Sequence, residues 1–136
     1  MCFAGELRQL FANLIGNALD AMTPDGGRLT LRVRRGQNAT VRVTVADTGT
    51  GMTREVRQHI FEPFFTTKEA VGTGLGLWVS AEIAAKHKGK ILMRTRTRDQ
   101  QGGGGTVFTV IFPDTIDRSQ ENASEQPTLS GAEIRA

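Results

Sequence analysis

Two asparagines, Asn13 and Asn17, stand four residues apart in "ELRQLFANLIGNALDAM" (residues 6–22). At that spacing two side chains lie one above the other on the same face of a helix. Asparagine is a poor helix former, and a merely solvated face normally carries Lys and Glu instead. Stacked amides offer neutral, hard oxygen donors suited to holding Mg2+ beside phosphates. The plain alternative is a solvated stripe that continues through Glu6, Gln9 and Asp20.

Asp47 raises a second question. By strand parity it shares a face with Val41, Val43 and Val45, the face that should be buried. A carboxylate aimed into a core is costly unless something donates hydrogen bonds to it. Gly49 and Gly51 follow at once and would let a ligand approach the backbone. A cavity with one carboxylate in apolar walls could accept the exocyclic amine of adenine; otherwise Asp47 caps the turn over residues 48–52, as Asp often does. A second cluster, Gly72, Gly74 and Gly76 in "GTGLGL", opens a predicted helix, and backbone N–H groups at such a start bind phosphate. By itself this cluster is a weak signal. It lacks the strand–turn–helix order of a dinucleotide fingerprint, and no Gly-Lys-Ser/Thr occurs.

The elements that must position these groups follow from periodicity. Leu7, Leu10, Phe11, Leu14, Ala18 and Ala21 predict an amphipathic helix over 6–22, ended by "TPDGG". Alternation predicts strands at 28–35 and 40–47, joined by a "RGQNA" hairpin loop. Thr53 should cap a short helix over 53–59. Residues 60–75 read as a long loop, 75–88 as a helix closed by Gly89, and 90–98 and 106–112 as strands. The order α-β-β-α-α-β-β predicts an α+β, two-layer sandwich of a mixed β-sheet with helices on one face.

The 136 residues form one domain by length, with 38% hydrophobic and 23% charged residues, ordinary for a globular protein. The single cysteine, Cys2, permits no internal disulfide and favours a cytoplasmic setting. No apolar run approaches the ~20 residues of a membrane helix, so no membrane is expected for this chain itself. The net charge of +3 is uneven: residues 1–113 carry fifteen Lys/Arg against nine Asp/Glu, whereas 114–136 carry two against five. The latter segment is polar and aperiodic and reads as a disordered tail. Parity turns Arg32, Arg34, Arg94, Arg96 and Arg98 outward as a basic solvent face. No zinc spacing or aromatic RNA-binding motif accompanies them, so no nucleic acid is expected.

Taken in order, four boxes resemble the histidine-kinase catalytic and ATP-binding domain, in the superfamily that includes DNA gyrase and a heat-shock chaperone. "ELRQLFANLIGNALDAM" is similar to its N box, "DTGTGM" to its first glycine box, "FEPFFTTK" to its F box and "GTGLGLWVS" to its second glycine box. "GGGGTVFTVIFP" is similar to its closing strand, and the match spans roughly residues 6–113. The resemblance implies the Bergerat ATP-binding fold, ATP and Mg2+ as cofactors, and transfer of the γ-phosphate to a histidine. Asn17 would hold Mg2+, and Asn13 would contact nucleotide or metal. Asp47 would bind the adenine amine, with Gly49 and Gly51 shaping that pocket and Thr106 near the base. Residues 60–75 would form a lid that Phe61, Phe64 and Phe65 pin. Lys68 would reach a phosphate, while Gly72, Gly74 and Gly76 would hinge the lid and cradle the phosphates.

Three departures stand out. Asp20 occupies a position where many relatives carry Lys or Arg, and the usual His-Gly-Gly turn reads "HKGK". The chain also begins almost at the N box, where the family has a strand segment and a helical phosphoacceptor hairpin. Neither His59 nor His87 sits in a phosphoacceptor His-Glu/Asp pattern. The expectation is a catalytic half, or a truncated gene product, acting on a separate dimerisation and histidine-phosphotransfer domain, with a response regulator downstream. Asn13 stands where ATP-hydrolysing relatives carry a glutamate base, and an amide cannot take a proton from water. A non-catalytic nucleotide-sensing module is the alternative, and a gyrase- or chaperone-like ATPase ranks third.

Overall fold

The computed structural model describes residues 4–23, 25–67, 74–99, 103–114 and, as backbone, 132–135. Helix α1 spans Ala4–Ala21, followed by strands β1 (Arg28–Gly36) and β2 (Thr40–Asp47). Short helix α2 (Arg54–His59) and helix α3 (Gly76–Lys86) come next, then strands β3 (Lys90–Arg96), β4 (Gly105–Pro113) and β5 (Ala132–Arg135). The strands form one sheet in the order β3-β4-β2-β1-β5. Every pairing is antiparallel, so the sheet is not mixed as the element order suggested. β1 and β2 join as a hairpin, whereas β2 and β3 flank β4 and run parallel to each other, so the chain crosses between them through α2 and α3.

Register explains the two-layer build. Leu29, Leu31 and Val33 lie opposite Asp47, Val45 and Val43, which in turn face Thr106, Phe108 and Val110. Because side chains alternate with period two, all of these share one face. Leu10, Leu14 and Ala18 of α1 and Ile83 and Ala84 of α3 close over that face to make the core. Leu10 and Leu14 are fully buried, each stabilising the fold by roughly 1.5–3 kcal/mol through apolar area removed from water. Among the described residues, helices α1 and α3 therefore sit on one side of the sheet and no helix covers the other.

The local ends have physical causes. Thr53 caps α2 as its sequence predicts, its hydroxyl accepting from the Val56 amide at 3.3 Å. The β1–β2 hairpin turns through Asn38 and Ala39, both with positive φ. At the end of α3 the Gly89 amide bonds Ala84 O at 2.8 Å and the Lys88 amide bonds Ala85 O at 3.0 Å. This is a Schellman closure whose left-handed position is taken by Lys88 (φ 59) rather than by the predicted glycine.

The tail reading over 114–136 needs correction at its far end. Residues 132–135 add β5 to the free edge of β1, pairing Leu29 with Ile134 and Leu31 with Ala132. An exposed edge offers unpaired backbone groups, and even four residues satisfy some of them. Asp114 is also held, its amide donating to Ala39 O at 2.6 Å. No helix among the described residues is long and apolar enough to cross a membrane.

Candidate nucleotide site

A cavity of about 790 Å³ opens between the C-terminal half of α1, α2 and the start of α3. Its walls include Asn17 and Asp20 from α1, Gly51 and Met52 after β2, Val56 and Ile60 along α2, Phe65, Gly74, Gly76 and Thr106. The volume falls in the range of small-molecule sites. Val56 of α2, with Met52 just before the helix and Ile60 at its C-cap, gives the cavity one apolar wall. The four-residue spacing of Met52, Val56 and Ile60 is the sequence signal for this wall.

Asp47 lies behind this wall and is only 8% exposed. Its Oδ1 accepts from the Gly49 amide at 2.8 Å and from the Thr106 amide at 3.2 Å. Burial pushes its carboxyl above the usual aspartate range, and the two amides act against that shift. Oδ2 has no partner among the described residues, yet it is not sealed from solvent. One carboxylate oxygen is thus fixed by backbone, and the other remains available to a donor such as an exocyclic amine.

Threonine hydroxyls tie the strands beneath the cavity to its wall. Thr95 accepts from the Met52 amide at 2.9 Å and lies 3.0 Å from the Thr106 hydroxyl. Gly51 must be glycine: its φ is +69, and a Cβ there would sit 1.9 Å from Arg96 O. Arg98 is not part of an outward face. It lies beyond β3 and donates to Thr48 O at 2.9 Å, bracing the same loop.

Asn13 and Asn17 part company. The Asn13 amide nitrogen donates to Gly76 O at 3.2 Å and approaches the Ser80 hydroxyl at 3.3 Å, fastening α1 to the first turn of α3. Asn13 is not on the cavity wall, whereas Asn17 and Asp20 are. The amide oxygen of Asn17 and the carboxylate of Asp20 are hard donors of the kind Mg2+ takes. No group of three or more His, Cys, Asp or Glu able to hold a metal occurs among the described residues. The donor set therefore suits an ion shared with phosphates, not one caged by protein alone.

The phenylalanines divide in the same way. Phe61 packs edge-on against Phe108, centroids 6.4 Å apart, and so anchors the segment to the core without lining the cavity. Phe65 lines it and meets the His59 ring at 5.6 Å. Phe64 does not pin anything: it is 75% exposed, with φ +66. What packs there is backbone, because a Cβ on Gly74 would lie 2.4 Å from the Phe64 carbonyl carbon. Gly74 and Gly76 line the cavity; Lys68 and Gly72 lie outside the described residues. Gly49 packs against Ala21 instead of the cavity.

Both histidines are held by carboxylates. His59 Nδ1 is 2.8 Å from Glu62 Oε1, and His87 Nε2 is 2.8 Å from Glu6 Oε2. Neither lines the cavity.

Comparison with known proteins agrees with this geometry. The family described as histidine kinase-, DNA gyrase B-, and HSP90-like ATPase matches residues 4–116. Sporulation kinase E of Bacillus subtilis (strain 168) is 37% identical over 125 residues, covering 92% of this chain. The chain spans only 15% of that relative's length. Among solved structures, full-length ShkA in complex with AMPPNP is 32% identical with a TM-score of 0.68, over 80% of this chain and 21% of ShkA. The nucleotide-free catalytic domain of histidine kinase ThkA is 33% identical with a TM-score of 0.66, over 81% of this chain and 67% of that one.

Proposed function

The chain belongs to the family of histidine kinase-, DNA gyrase B-, and HSP90-like ATPases, and on that premise we propose that it is the catalytic part of a cytoplasmic sensor histidine kinase. In this reading it binds ATP in the cavity and passes the γ-phosphate to a histidine on a separate dimerisation domain, from which a response regulator receives it. The observation that carries the reading is the half-occupied Asp47 carboxylate beside a cavity rimmed by Asn17.

Each residue has a distinct task in this account. Asp47 Oδ2 accepts from the adenine amine, while the Gly49 and Thr106 amides hold the carboxylate in place. Met52, Val56 and Ile60 exclude water from the base. Asn17, with Asp20 three residues on, would hold Mg2+, which when bound neutralises phosphate charge. Gly74 and Gly76 let backbone approach the phosphates, and Lys68 and Gly72 would complete that cradle. Asn13 fixes where α3 begins and hence where its first N–H groups point.

Phosphoryl transfer depends mainly on positioning and charge neutralisation. An amide at position 13 cannot act as a base toward water, which favours an outside nucleophile over hydrolysis. His59 and His87 are each engaged by a glutamate and neither lines the cavity, which supports an acceptor histidine on another domain. Radiolabelled ATP incubated with the chain alone, and then with a matched phosphoacceptor hairpin, tests this. Label only in the second tube is expected. Label on His59 or His87 in the first would refute transfer in trans, and none in the second would favour a nucleotide-sensing module.

A further inference from the structure

The sheet face away from the helices has a regular layout. Across it run three rows set by strand register: Arg34–Arg42–Ile111–Lys90, Arg32–Thr44–Thr109–Leu92, and Thr30–Ala46–Val107–Arg94. Apart from Arg42, exposed at one end of the central β2, the cations collect on the flanks. Arg32 and Arg34 line the β1 side, Lys90 and Arg94 the β3 side, and all four are exposed. Between them the floor of the second and third rows is made of Thr44, Ala46, Val107 and Thr109, none with a long side chain; Arg42 and Ile111 close it at one end, and Leu92 beside it is 48% exposed. None of these flanking cations has a carboxylate partner among the described residues.

Three inter-strand steps separate β1 from β3, so the rails stand about 14 Å apart. An α-helix with its side chains is about 10–12 Å across. A helix laid along this trough would rest a small-residue stripe on Ala46 and Val107 and reach a rail on each side. The two rails carry no carboxylate of their own and make a positive field, which an acidic occupant would relieve. The face carries no aromatic platform on which bases could stack, so a single-stranded nucleic acid is poorly served. A lipid surface would meet the rails but leave the recessed floor unfilled.

We propose that this open face is a docking surface for a partner protein's α-helix that carries acidic residues on both flanks of a narrow apolar stripe. The surface is independent of the nucleotide cavity, which lies on the helical side of the sheet.

Two synthetic helical peptides of identical composition provide the test. One has glutamates on both flanks of an alanine–leucine stripe; the other has all its glutamates on the side opposite the stripe. Each is titrated into the isotope-labelled chain at about 0.15 M salt, where exposed charges are already screened beyond about 8 Å. The first peptide should shift outward-facing residues of β1 to β4, and the second should bind about tenfold more weakly. Arg32→Glu with Arg94→Glu should cut affinity for the first peptide at least tenfold, roughly, while nucleotide affinity is retained. The milder pair Arg32→Gln with Arg94→Gln should lose less, which guards against misfolding of the reversed variant. Equal binding of both peptides, shifts confined to other surfaces, or indifference to both variant pairs would overturn the proposal. So would tighter binding of duplex DNA, or of phosphatidylserine vesicles, through the same arginines.

Discussion

The Arg98 guanidinium donates to the Thr48 carbonyl oxygen at 2.9 Å, while the Arg98 amide bonds Thr50 O at 2.9 Å. The same side chain reaches Asp25 at 3.5 Å. One residue beyond β3 thereby joins the turn after α1 to the loop that carries Gly49 and Gly51. Removing it should loosen that loop without touching the ligand. Arg98→Ala should weaken nucleotide binding about fivefold, equivalent to about 1 kcal/mol for a partly exposed charged hydrogen bond. Arg98→Lys should recover part of it. Calorimetric affinities for the three proteins check this; equal affinities would remove Arg98 from the positioning role.

Asp47→Asn should separate stability from binding. Burial raises the Asp47 carboxyl above its ordinary 3.8, so the ionised form is disfavoured by folding. The sign follows: stability is greatest below the unfolded value and declines as pH rises through the higher folded one. An amide avoids that cost, and it can still accept from Gly49 and Thr106. The variant should therefore melt higher than the parent at pH 7, with the difference closing as pH falls toward 3.8. Its ATP affinity should drop about tenfold or more, since the amine loses its acceptor. A variant that melts lower at neutral pH would contradict this account of the buried carboxylate.

Asp20 on the cavity wall should make binding unusually dependent on Mg2+. Without the ion, its carboxylate faces the phosphates as a like charge. Asp20→Lys should raise ATP affinity in EDTA and flatten the Mg2+ dependence. Asn17→Ala should lower affinity in Mg2+ and change little in EDTA. Titrations with and without Mg2+ distinguish the two, and an unchanged ratio in both would dismiss the assigned donors.

Glu6 joins the two helices by accepting from Lys86 and His87. These hydrogen bonds, that of Lys86 first, hold its carboxyl below the usual 4.5. A depressed folded value means stability present above 4.5 and lost as pH falls through the folded value. Glu6→Gln should thus melt lower than the parent at pH 7 and match it in strong acid. High salt should narrow the gap at neutral pH. Melting curves across pH read this directly.

Much of the fold was legible because its elements carry clean periods. Strand β2 runs over 40–47 as the alternation of Val41, Val43 and Val45 predicts, and Asp47 is buried as parity requires. What periodicity could not supply was pairing. Nothing in "AEIR" marks it as a partner for β1, because a four-residue segment has too few alternations to register. The antiparallel sheet likewise emerges only from register.

The site was readable by residue type but not by contact. Asn13 and Asn17 share a helix face, yet the start of α3 engages the first and leaves the second on the cavity wall. No spacing rule distinguishes them, since the difference depends on where a second helix crosses. Phe64 looked like an anchor beside Phe61 and Phe65, and its left-handed backbone turns it to solvent instead. Thr95 was silent for a similar reason: its role arises from lying across the sheet from Thr106.

The most direct measurement is calorimetric titration of the intact chain with ATP and with GTP in Mg2+. The account predicts one ATP per chain at micromolar to sub-millimolar affinity, and discrimination against GTP, whose ring presents an oxygen where adenine presents the amine that Asp47 Oδ2 would accept from. Absence of ATP binding, or equal binding of both nucleotides that Asp47→Asn leaves unchanged, would contradict it.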